Sequence, residues 1–485
     1  MKKIKLDLSW LFFIYLFLLF IFCEFSHECN FGDDLWNFQS IFKMYKGGLI
    51  YNYNNVLITP LFYVISKFIF RIFGGNFITF KLYSAINILL KYILIFFLFR
   101  KFNFSNLFSA FYISLLMLIN YNTFFGCTSY NELALIFSII GILIYLKFYK
   151  NNKYHFIQGF LIFLIFFTKQ TTGFYYAFGI ILFELLEFGF SKVFFKNQFL
   201  KIIIFFPCLL LSLVYMFYIG NLNNFIDLCF GGILEFKNNN FGISEDAIPL
   251  LSSIIPIIIF SVMILTLNSV DIKIKKNIKF LLCLAFGMTF NIFPIINFYH
   301  THMAFSMYFI LFFYIIHTLL ISQIFNDNSK LYIFKIICLI IIISLYIRTY
   351  FYIDSDLVGF DKSSPFYGSF VSKENFEKIE TITNYISEKQ NQGIKVVILS
   401  YEAAAYNLPL NINNRELDLP FCGNLGYNGI QKTINKISNM KNTEFLIFTN
   451  EDDCFWQESM EIREYILENF KKNGELLNYS IYTNE

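Results

Sequence analysis

Residues 8–24, LSWLFFIYLFLLFIFCE, form an almost unbroken apolar run that ends in an acid. Apolar runs of about 17–25 residues are long enough to cross the ~30 Å hydrocarbon core of a bilayer as helices. Similar runs follow along the chain as far as 331–351. The sequence therefore predicts a mostly α, polytopic membrane protein with about eleven transmembrane helices plus interfacial helices.

Composition supports the membrane class and says little about partners. Hydrophobic residues make up 57% and charged residues 15% of the 485 residues, whereas soluble proteins contain about 25% charged residues. The net charge of +4 does not indicate a nucleic-acid partner, because charge in a membrane protein is informative loop by loop. The 9 cysteines include no Cys-x-x-Cys pair, and no histidine stands at metal-ligand spacing, so we predict no metal site.

One run, 56–73, is ambiguous because it contains Lys67 and Arg71. If this run is an amphipathic helix in the membrane interface, the basic clusters of the chain share one side, which the positive-inside rule assigns to the cytoplasm. If the run spanned, every later cluster would face outward. We therefore predict a multi-pass protein of the cell membrane with a cytoplasmic N-terminus and an extracytoplasmic C-terminus. The clusters are Lys2, Lys3 and Lys5; Arg100 and Lys101; Lys147, Lys150 and Lys153; Lys192, Lys196 and Lys201; Lys273, Lys275, Lys276 and Lys279; and Lys330 and Lys335.

The character of the chain changes after about residue 351. Residues 1–351 read as a transmembrane domain whose first external loop, 25–76, carries an acidic pair. In 352–485, short apolar runs alternate with helical patterns, which predicts an extracytoplasmic α/β domain. The strands are expected at 395–400 and 444–449, and the helices at 372–390, 430–440 and 458–473, with Gly474 as the C-cap of the last helix.

The acidic pair Asp33-Asp34 lies just after the first apolar run. Behind it, apolar residues follow the spacing of a helical stripe that we expect to lie on the membrane surface and to end at Gly47-Gly48. Either acid could cap this helix, since Asp is a favoured N-cap residue. The alternative is a functional acid, because acidic groups beside lipid are costly and usually functional. The stripe consists of Phe38, Ile41, Phe42 and Tyr45.

The predicted topology brings further polar residues to the same external face. Glu132 begins a span, where it could be a first-turn acid or a second catalytic carboxylate. Lys169 and Gln170 lie between two spans, and the lysine either snorkels to the headgroups or neutralises a phosphate. His300 and His302 open another span and could bind a phosphate or a sugar hydroxyl, since no third metal ligand is near.

These groups fit the transfer of a sugar from a lipid phosphate. Such a reaction needs a base for the acceptor hydroxyl and cations for the departing phosphate. Asp33 or Asp34 would supply the base, and Lys169 with one of the histidines would hold the phosphate. A transporter or flippase of lipid-linked sugars is one alternative, although it would be expected to show inverted repeats and broken helices near mid-bilayer. A non-catalytic envelope-assembly protein is another, although it would not need these charges.

The pattern resembles the GT-C superfamily of polytopic glycosyltransferases that use lipid-phosphate sugars. Within it, the chain is similar to the bacterial transferases related to protein mannosyltransferases and aminoarabinose transferases. The resemblance covers most of the chain in short motifs. These are Gly32-Asp33-Asp34; Gly47, Gly48 and Tyr51; Thr59-Pro60-Leu61 with Tyr63; Phe73-Gly74; Lys169-Gln170; His300; and, in the tail, Asp418 to Gly426.

The resemblance implies a membrane glycosyltransferase that moves a hexose or pentose from a polyprenyl-phosphate donor to an extracytoplasmic glycan, lipid or protein acceptor. It also implies that Asp33 is the catalytic base and that Glu132 assists it. The chain departs from the family at Asp34, where Glu is frequent, and at Asn297, where related chains often place an acid before the histidine. A divalent cation is the one cofactor left open.

Overall fold

Helices dominate the chain, and a small sheet lies near its C-terminus, as predicted. The structure, a computed structural model, describes residues 8–29, 31–53, 55–119, 129–149, 151–239, 242–243, 248–292, 295–296, 298–318, 356–412, 417, 424–454 and 458–484. The helices are α1 (Leu8–Phe25), α2 (Asp33–Tyr45), α3 (Ile50–Tyr53), α4 (Leu61–Phe73), α5 (Phe77–Lys101), α6 (Asn106–Ile119), α7 (Tyr130–Phe148), α8 (Asn152–Thr168), α9 (Gln170–Phe188), α10 (Lys192–Tyr218), α11 (Leu222–Ile226), α12 (Gly232–Asn239), α13 (Ile248–Thr266), α14 (Ile272–Thr289), α15 (Phe298–Ile316), α16 (Lys373–Asn391), α17 (Ala403–Asn407), α18 (Gly429–Ser438) and α19 (Met460–Asn469). A π-helical turn, Asp227–Gly231, links α11 to α12, and 3-10 turns cover Phe290–Ile292 and Glu451–Asp453.

The strands are short and fall into three sheets. Their bounds are β1 (Gly242–Ile243), β2 (Ile295–Ile296), β3 (Leu357–Gly359), β4 (Phe370–Ser372), β5 (Lys395–Ile398), β6 (Thr443–Phe448), β7 (Lys471–Leu476) and β8 (Tyr479–Thr483). The largest sheet has the order β5-β6-β8-β7, with β5 and β6 parallel and the other neighbours antiparallel. β1 and β2 form a parallel pair within the helical region, and β3 and β4 form an antiparallel pair.

Each predicted span overlaps a helix, except the run at 331–351, which lies outside the described residues. The run at 279–297 is helical only in part, because α14 ends at Thr289 and Ile295–Ile296 form β2. Within the described part of the chain, four helices are long and apolar enough to cross a membrane, namely α5, α7, α9 and α10. Shorter apolar segments lie in α1, α6, α13 and α15. The apolar helical architecture is therefore observed, and the number of spans stays a prediction.

The ambiguous run at 56–73 folds as an extended segment followed by helix α4. With 13 residues, α4 is about 20 Å long, which is too short to cross ~30 Å of hydrocarbon. One side of the helix buries Phe62, Ser66 and Phe70, while Val64 and Phe68 on another side are exposed. Lys67 and Arg71, four residues apart, add a polar side, and this amphipathic character agrees with the prediction of an interfacial helix.

Close helix contacts depend on small residues, as at the crossing of α9 and α14. A methyl group on Gly287 would lie 2.5 Å from the carbonyl oxygen of Tyr175 and 3.0 Å from the backbone nitrogen of Gly179. Small residues let helix backbones approach each other closely in this way. The approach holds the start of α9, and with it the site described below, against α14.

Helix α2, in the loop that we predicted to be external, is buried in protein, which corrects the prediction of a helix lying on the membrane surface. Helix α2 spans Asp33–Tyr45 and ends before Gly47, whose φ is +109°. Its predicted stripe is present, but Phe38 is fully buried. The ring of Phe38 lies 4.7 Å from that of Phe77 and 6.3 Å from that of Phe366 (centroid distances). The stripe therefore packs against α5 and the C-terminal region instead of lipid.

The C-terminal region contains the predicted α/β elements with one correction. Strands β5 and β6 pair in parallel, and α16, α18 and α19 lie on the predicted helical segments. Gly474 is not a helix C-cap, because α19 ends at Asn469 and Gly474 lies in β7, where the pairing with β8 is irregular. Residues 471–483 form a hairpin whose turn includes Leu477 at φ +56°.

The C-terminal region attaches to the first loop and to the start of α5 through backbone hydrogen bonds. The Cys29 N–H donates to the Phe370 carbonyl at 2.8 Å. The N–H groups of Phe77 and Ile78, at the start of α5, donate to the carbonyls of Pro365 (3.1 Å) and Tyr367 (2.8 Å). These N–H groups have no partner within the helix. The C-terminal region therefore caps α5, one of the long apolar helices, beside the acidic pair.

Candidate functional site

The acidic pair forms the first turn of helix α2. The N-cap residue is Gly32, so neither acid is at the N-cap position considered above, and Asp33 and Asp34 are the first two helical residues. The Asp34 side chain is only 5% exposed, whereas the Asp33 side chain lies outside the described residues. The positive end of the helix dipole favours negative charge at this position.

Asp34 shares its surroundings with a thiol and a buried lysine. Cys29 is buried just before α2, and burial raises the pKa of its thiol well above the usual range. The charge of Asp34 raises this pKa further, and the charge of Lys81 opposes the rise. Both charges therefore act on the same sulfur atom.

Lys81 is a residue that the sequence reasoning missed. It lies one turn into α5, and its side chain is 2% exposed. Its Nζ has no hydrogen-bond partner among the described residues. The signal was available, because an ionisable residue inside a predicted span is a functional candidate by default.

Glu132 is held by a capping box at the start of α7. Its Oε2 accepts hydrogen bonds from the backbone N–H (3.0 Å) and the hydroxyl (2.6 Å) of Ser129. The Ser129 hydroxyl in turn accepts from the N–H of Asn131 at 3.1 Å. This is the first-turn role considered from the sequence. The carboxylate also lies within electrostatic reach of Lys91 and Lys169.

Lys169 occupies the short turn between α8 and α9 and is half-buried. Its Nζ donates to the Oδ1 of Asn131 at 2.7 Å and lies 5.7 Å from the ring centroid of Tyr130. Burial lowers the pKa of Lys169 to about 8, and the charge of Glu132 opposes this shift. An ammonium with this pKa is mostly charged at neutral pH and can bind an anion.

Gln170 holds backbone segments together. Its amide Nε2 donates to the carbonyl oxygens of Leu57 (2.6 Å) and Cys229 (3.0 Å). Its Oε1 accepts from the N–H of Thr59 at 3.3 Å. The side chain thus connects the segment before α4 to the π-helical turn, directly beside Lys169.

Aromatic and polar contacts show that these groups lie at the same end of the helical bundle. The ring of Phe62 lies 6.5 Å from Tyr83 in α5 and 6.4 Å from Tyr130 in α7 (centroid distances). The Thr172 hydroxyl, near the start of α9, donates to the Oδ1 of Asn291 at 3.0 Å, close to where α15 begins. The Tyr63 hydroxyl of α4 also donates to the Oδ1 of Asn37 in α2 at 3.4 Å. Asp34, Glu132 and Lys169 therefore belong to one end of the bundle, which the C-terminal region covers at α2.

The histidines lie in the first turns of α15, but the side chains of His300 and His302 are outside the described residues, as is Asn297. The segment 418–423 of the tail motif is also outside them.

Comparisons with known proteins give one structural similarity. Neither the protein-family models nor the curated proteins contain a match to the chain. Among solved structures, the chain is similar to an oligosaccharyltransferase of Archaeoglobus fulgidus, crystallised as a complex with Zn and sulfate. The two chains share 12% sequence identity, and the alignment has a TM-score of 0.49 and covers 98% of this chain and 73% of that chain. At this level of similarity, a function has to be inferred from the residues of the chain itself.

The arrangement offers acid–base chemistry and anion binding. In the part of the chain that the structure describes, no group of three or more His, Cys, Asp or Glu side chains could hold a metal ion. A buried carboxylate, Asp34, lies at a helix N-terminus, and two lysines, Lys81 and Lys169, lie at the same end of the bundle. The carboxylate can accept a proton, and the nearby lysines can bind a phosphate.

Proposed function

We propose that this chain is a membrane glycosyltransferase that moves a sugar from a polyprenyl-phosphate donor to an extracytoplasmic acceptor hydroxyl. The observation that carries the proposal is the buried Asp34 in the first turn of α2, directly after apolar helix α1. Keeping a carboxylate buried at the end of a membrane helix costs free energy. Such a cost is most readily explained by a chemical role.

The acidic pair supplies the base. In sugar transfer, the acceptor oxygen attacks the anomeric carbon, the carboxylate takes the hydroxyl proton, and the bond from the sugar to the phosphate oxygen breaks. Because phosphate is a good leaving group, one carboxylate is sufficient. The family resemblance favours Asp33 over Asp34 as this base. Glu132 would support the site through its charge while capping α7.

Lys169 would bind the departing phosphate as a point charge. Its ammonium is fixed by Asn131 and retains donors for a further partner, since an ammonium has three. Gln170 would contribute by fixing the turn on which Lys169 stands. His300 and His302 remain proposed phosphate or hydroxyl ligands on the neighbouring helix α15.

The lipid part of the donor would lie against the exposed apolar face of α4. Val64, Phe68 and Ile72 are exposed on this helix, at spacings of four residues that place them on one side. A prenyl chain could follow this face from the bilayer toward α2, since α2 and α4 pack together. The lipid bilayer and a lipid-linked donor are thus the expected partners.

The test is transfer activity of purified protein in nanodiscs with a panel of radiolabelled polyprenyl-phosphate hexoses and pentoses. Release of polyprenyl phosphate and formation of labelled product are measured for wild type, Asp33→Asn and Asp34→Asn. We expect at least one variant to lose activity by about 10²–10⁴-fold, with unchanged expression and membrane insertion. Asp452→Asn, at an exposed acid in the C-terminal region, is the matched control and should behave as wild type. Full activity in both site variants would refute the proposed base.

A further inference from the structure

The ammonium of Lys81 is enclosed by aromatic rings instead of hydrogen-bond acceptors. Its Nζ lies 5.4 Å from the centroid of Phe25, 5.9 Å from Phe77 and 5.4 Å from Phe370. Cations within about 6 Å of a ring centroid are attracted by its negative face. Among the described residues, Nζ has no hydrogen-bond partner. Phe25, Phe77 and Phe370 together form the Lys81 cage.

The rings alone do not replace the water that the ammonium has lost. A buried charge is normally paired or hydrogen-bonded, because its desolvation is costly. Asp34 and Glu28 both act with Lys81 on the sulfur of Cys29, and Glu28 accepts hydrogen bonds from Ser372 and Asn375. Packing brings Asp34 toward Lys81, because Phe38, one turn after Asp34, lies 4.7 Å from Phe77, one turn before Lys81. The ammonium and the carboxylate therefore share one desolvated region, where charges interact more strongly than in water.

The Lys81 cage is built from two parts of the chain. Phe25 ends α1 and Phe77 begins α5, so both belong to the helical bundle. Phe370 belongs to β4 of the C-terminal region, and its carbonyl accepts the Cys29 N–H. The cage is therefore complete only when the C-terminal region is attached to the first loop.

We infer that Lys81 is a positioning residue, the counter-charge that holds the Asp34 carboxylate in place, and that Phe370 of the C-terminal region completes its surroundings. The inference rests on the proposed function for its meaning in catalysis. Its physical content, an energetic coupling among Lys81, Asp34 and Phe370, does not depend on any activity.

The first experiment is a double-mutant cycle on thermal stability in detergent with Lys81→Met, Asp34→Asn and the double variant. Met keeps the unbranched apolar stem and removes the charge. We expect Lys81→Met to lower the Tm of the wild-type protein. In the Asp34→Asn background the same substitution should lower Tm by at least about 2 °C less, because a neutral amide needs no counter-charge. Lys147→Met, an exposed lysine near the Phe148 ring, should show no coupling to Asp34→Asn. Additive shifts for Lys81→Met would overturn the inference.

The second experiment tests the C-terminal region with Phe370→Leu, which keeps an apolar side chain and removes the ring face. Phe370→Leu should lower Tm more in the wild-type background than in the Lys81→Met background, because a cation–π contact is lost only where Lys81 is present. Equal effects in both backgrounds would remove Phe370 from the inference.

The third experiment is kinetic and uses the nanodisc assay. Lys81→Met should lower kcat by at least about tenfold with KM for the donor little changed, since Lys81 would act on the base and not on the substrate. Lys81→Arg should regain part of the activity, because it restores the charge. If wild type has no transfer activity, the proposed function fails while the thermal cycles still decide the coupling. If wild type is active and Lys81→Met matches it, the positioning role fails.

Discussion

Two buried lysines at opposite ends of the helical bundle differ in how their charges are compensated. Lys201 in α10 donates to the Oε2 of Glu184 at 2.6 Å and to the Oε1 of Gln198 at 3.3 Å. His155 in the first turn of α8 also lies 3.5 Å from the Oε1 of Glu184. His155 is about 21 Å along α8 from the turn that holds Lys169. Lys81, at the end with the candidate site, has three rings and a nearby acid but no described hydrogen-bond acceptor.

The difference is that between a charge held in a direct ion pair and a charge for which we propose a positioning role. The pair of Lys201 and Glu184 ties α10 to α9 in direct contact, so each charge satisfies the other. At the candidate site, Lys81 affects its surroundings through its charge and makes no direct ion pair with a described residue. A charge without a direct ion-pair partner in the protein can act electrostatically on a reacting group.

The largest effect is expected when the direct pair is broken. Lys201→Met leaves Glu184 buried without its cation, which should lower the free energy of unfolding by about 3–5 kcal/mol. The measurement is thermal unfolding in detergent, followed by circular dichroism. The double variant Lys201→Met with Glu184→Leu is the control and should recover most of the loss, because apolar pairs often replace buried ion pairs at little cost. A loss below about 1 kcal/mol in the single variant would show that the pair is not structural.

An intermediate effect is expected from the pH dependence of Lys169. Its pKa of about 8 predicts that phosphate binding weakens as pH rises through this value, so KM for the donor should increase by up to about tenfold per pH unit above it. The free energy of unfolding should also increase with pH over this range. The folded-state pKa lies below the ordinary value of 10.5, so the unfolded chain binds more protons between the two and unfolding becomes less favourable as pH rises.

Lys169→Arg is the control for this pH dependence. Arginine stays charged over the whole range, so its KM should not change through pH 8. Glu132→Gln removes the charge that raises the pKa of Lys169 and should move the increase in KM to lower pH. A wild-type KM that is constant from pH 7 to about 9 would separate Lys169 from phosphate binding.

The smallest effect is expected at the capping box of α7. Ser129→Ala removes the hydroxyl that accepts the Asn131 N–H and donates to Glu132, at a cost of about 1 kcal/mol in unfolding free energy. If Glu132 also supports the reaction, freeing its carboxylate should change kcat as well as Tm. Ser253→Ala, in α13, gives a comparison outside the capping box. An unchanged kcat would leave Glu132 with the structural role alone.

From the sequence, local secondary structure was predicted better than the burial of side chains. The stripe from Phe38 to Tyr45 predicted helix α2, because helical spacing is a local signal. Its contact with Phe366 was not predictable, since it depends on a segment far along the chain. The hairpin of β7 and β8 was missed because Gly474, a frequent helix C-cap residue, lies within a strand irregularity instead.

The sequence predicted the position of the candidate residues better than their contacts. Topology placed Asp34, Glu132 and Lys169 at one end of the bundle, which agrees with the contacts of α4 with α2 and α7 and with the hydrogen bond from Lys169 to Asn131. The capping role of Glu132 and the backbone contacts of Gln170 depend on hydrogen-bond geometry that no residue spacing encodes. Lys81 was read only as part of an apolar run, although its charge was the available signal.

The carboxylate of Glu28 accepts hydrogen bonds from the Ser372 N–H and the Asn375 amide, both at 2.7 Å, and Ser372 lies 344 residues further along the chain. During synthesis the acidic loop emerges early, yet the segment that holds it in place is made 344 residues later. The apolar face of α2 therefore waits for its final neighbours until that segment has been translated. A chain released before Ser372 would carry the acids without the contacts that hold their loop.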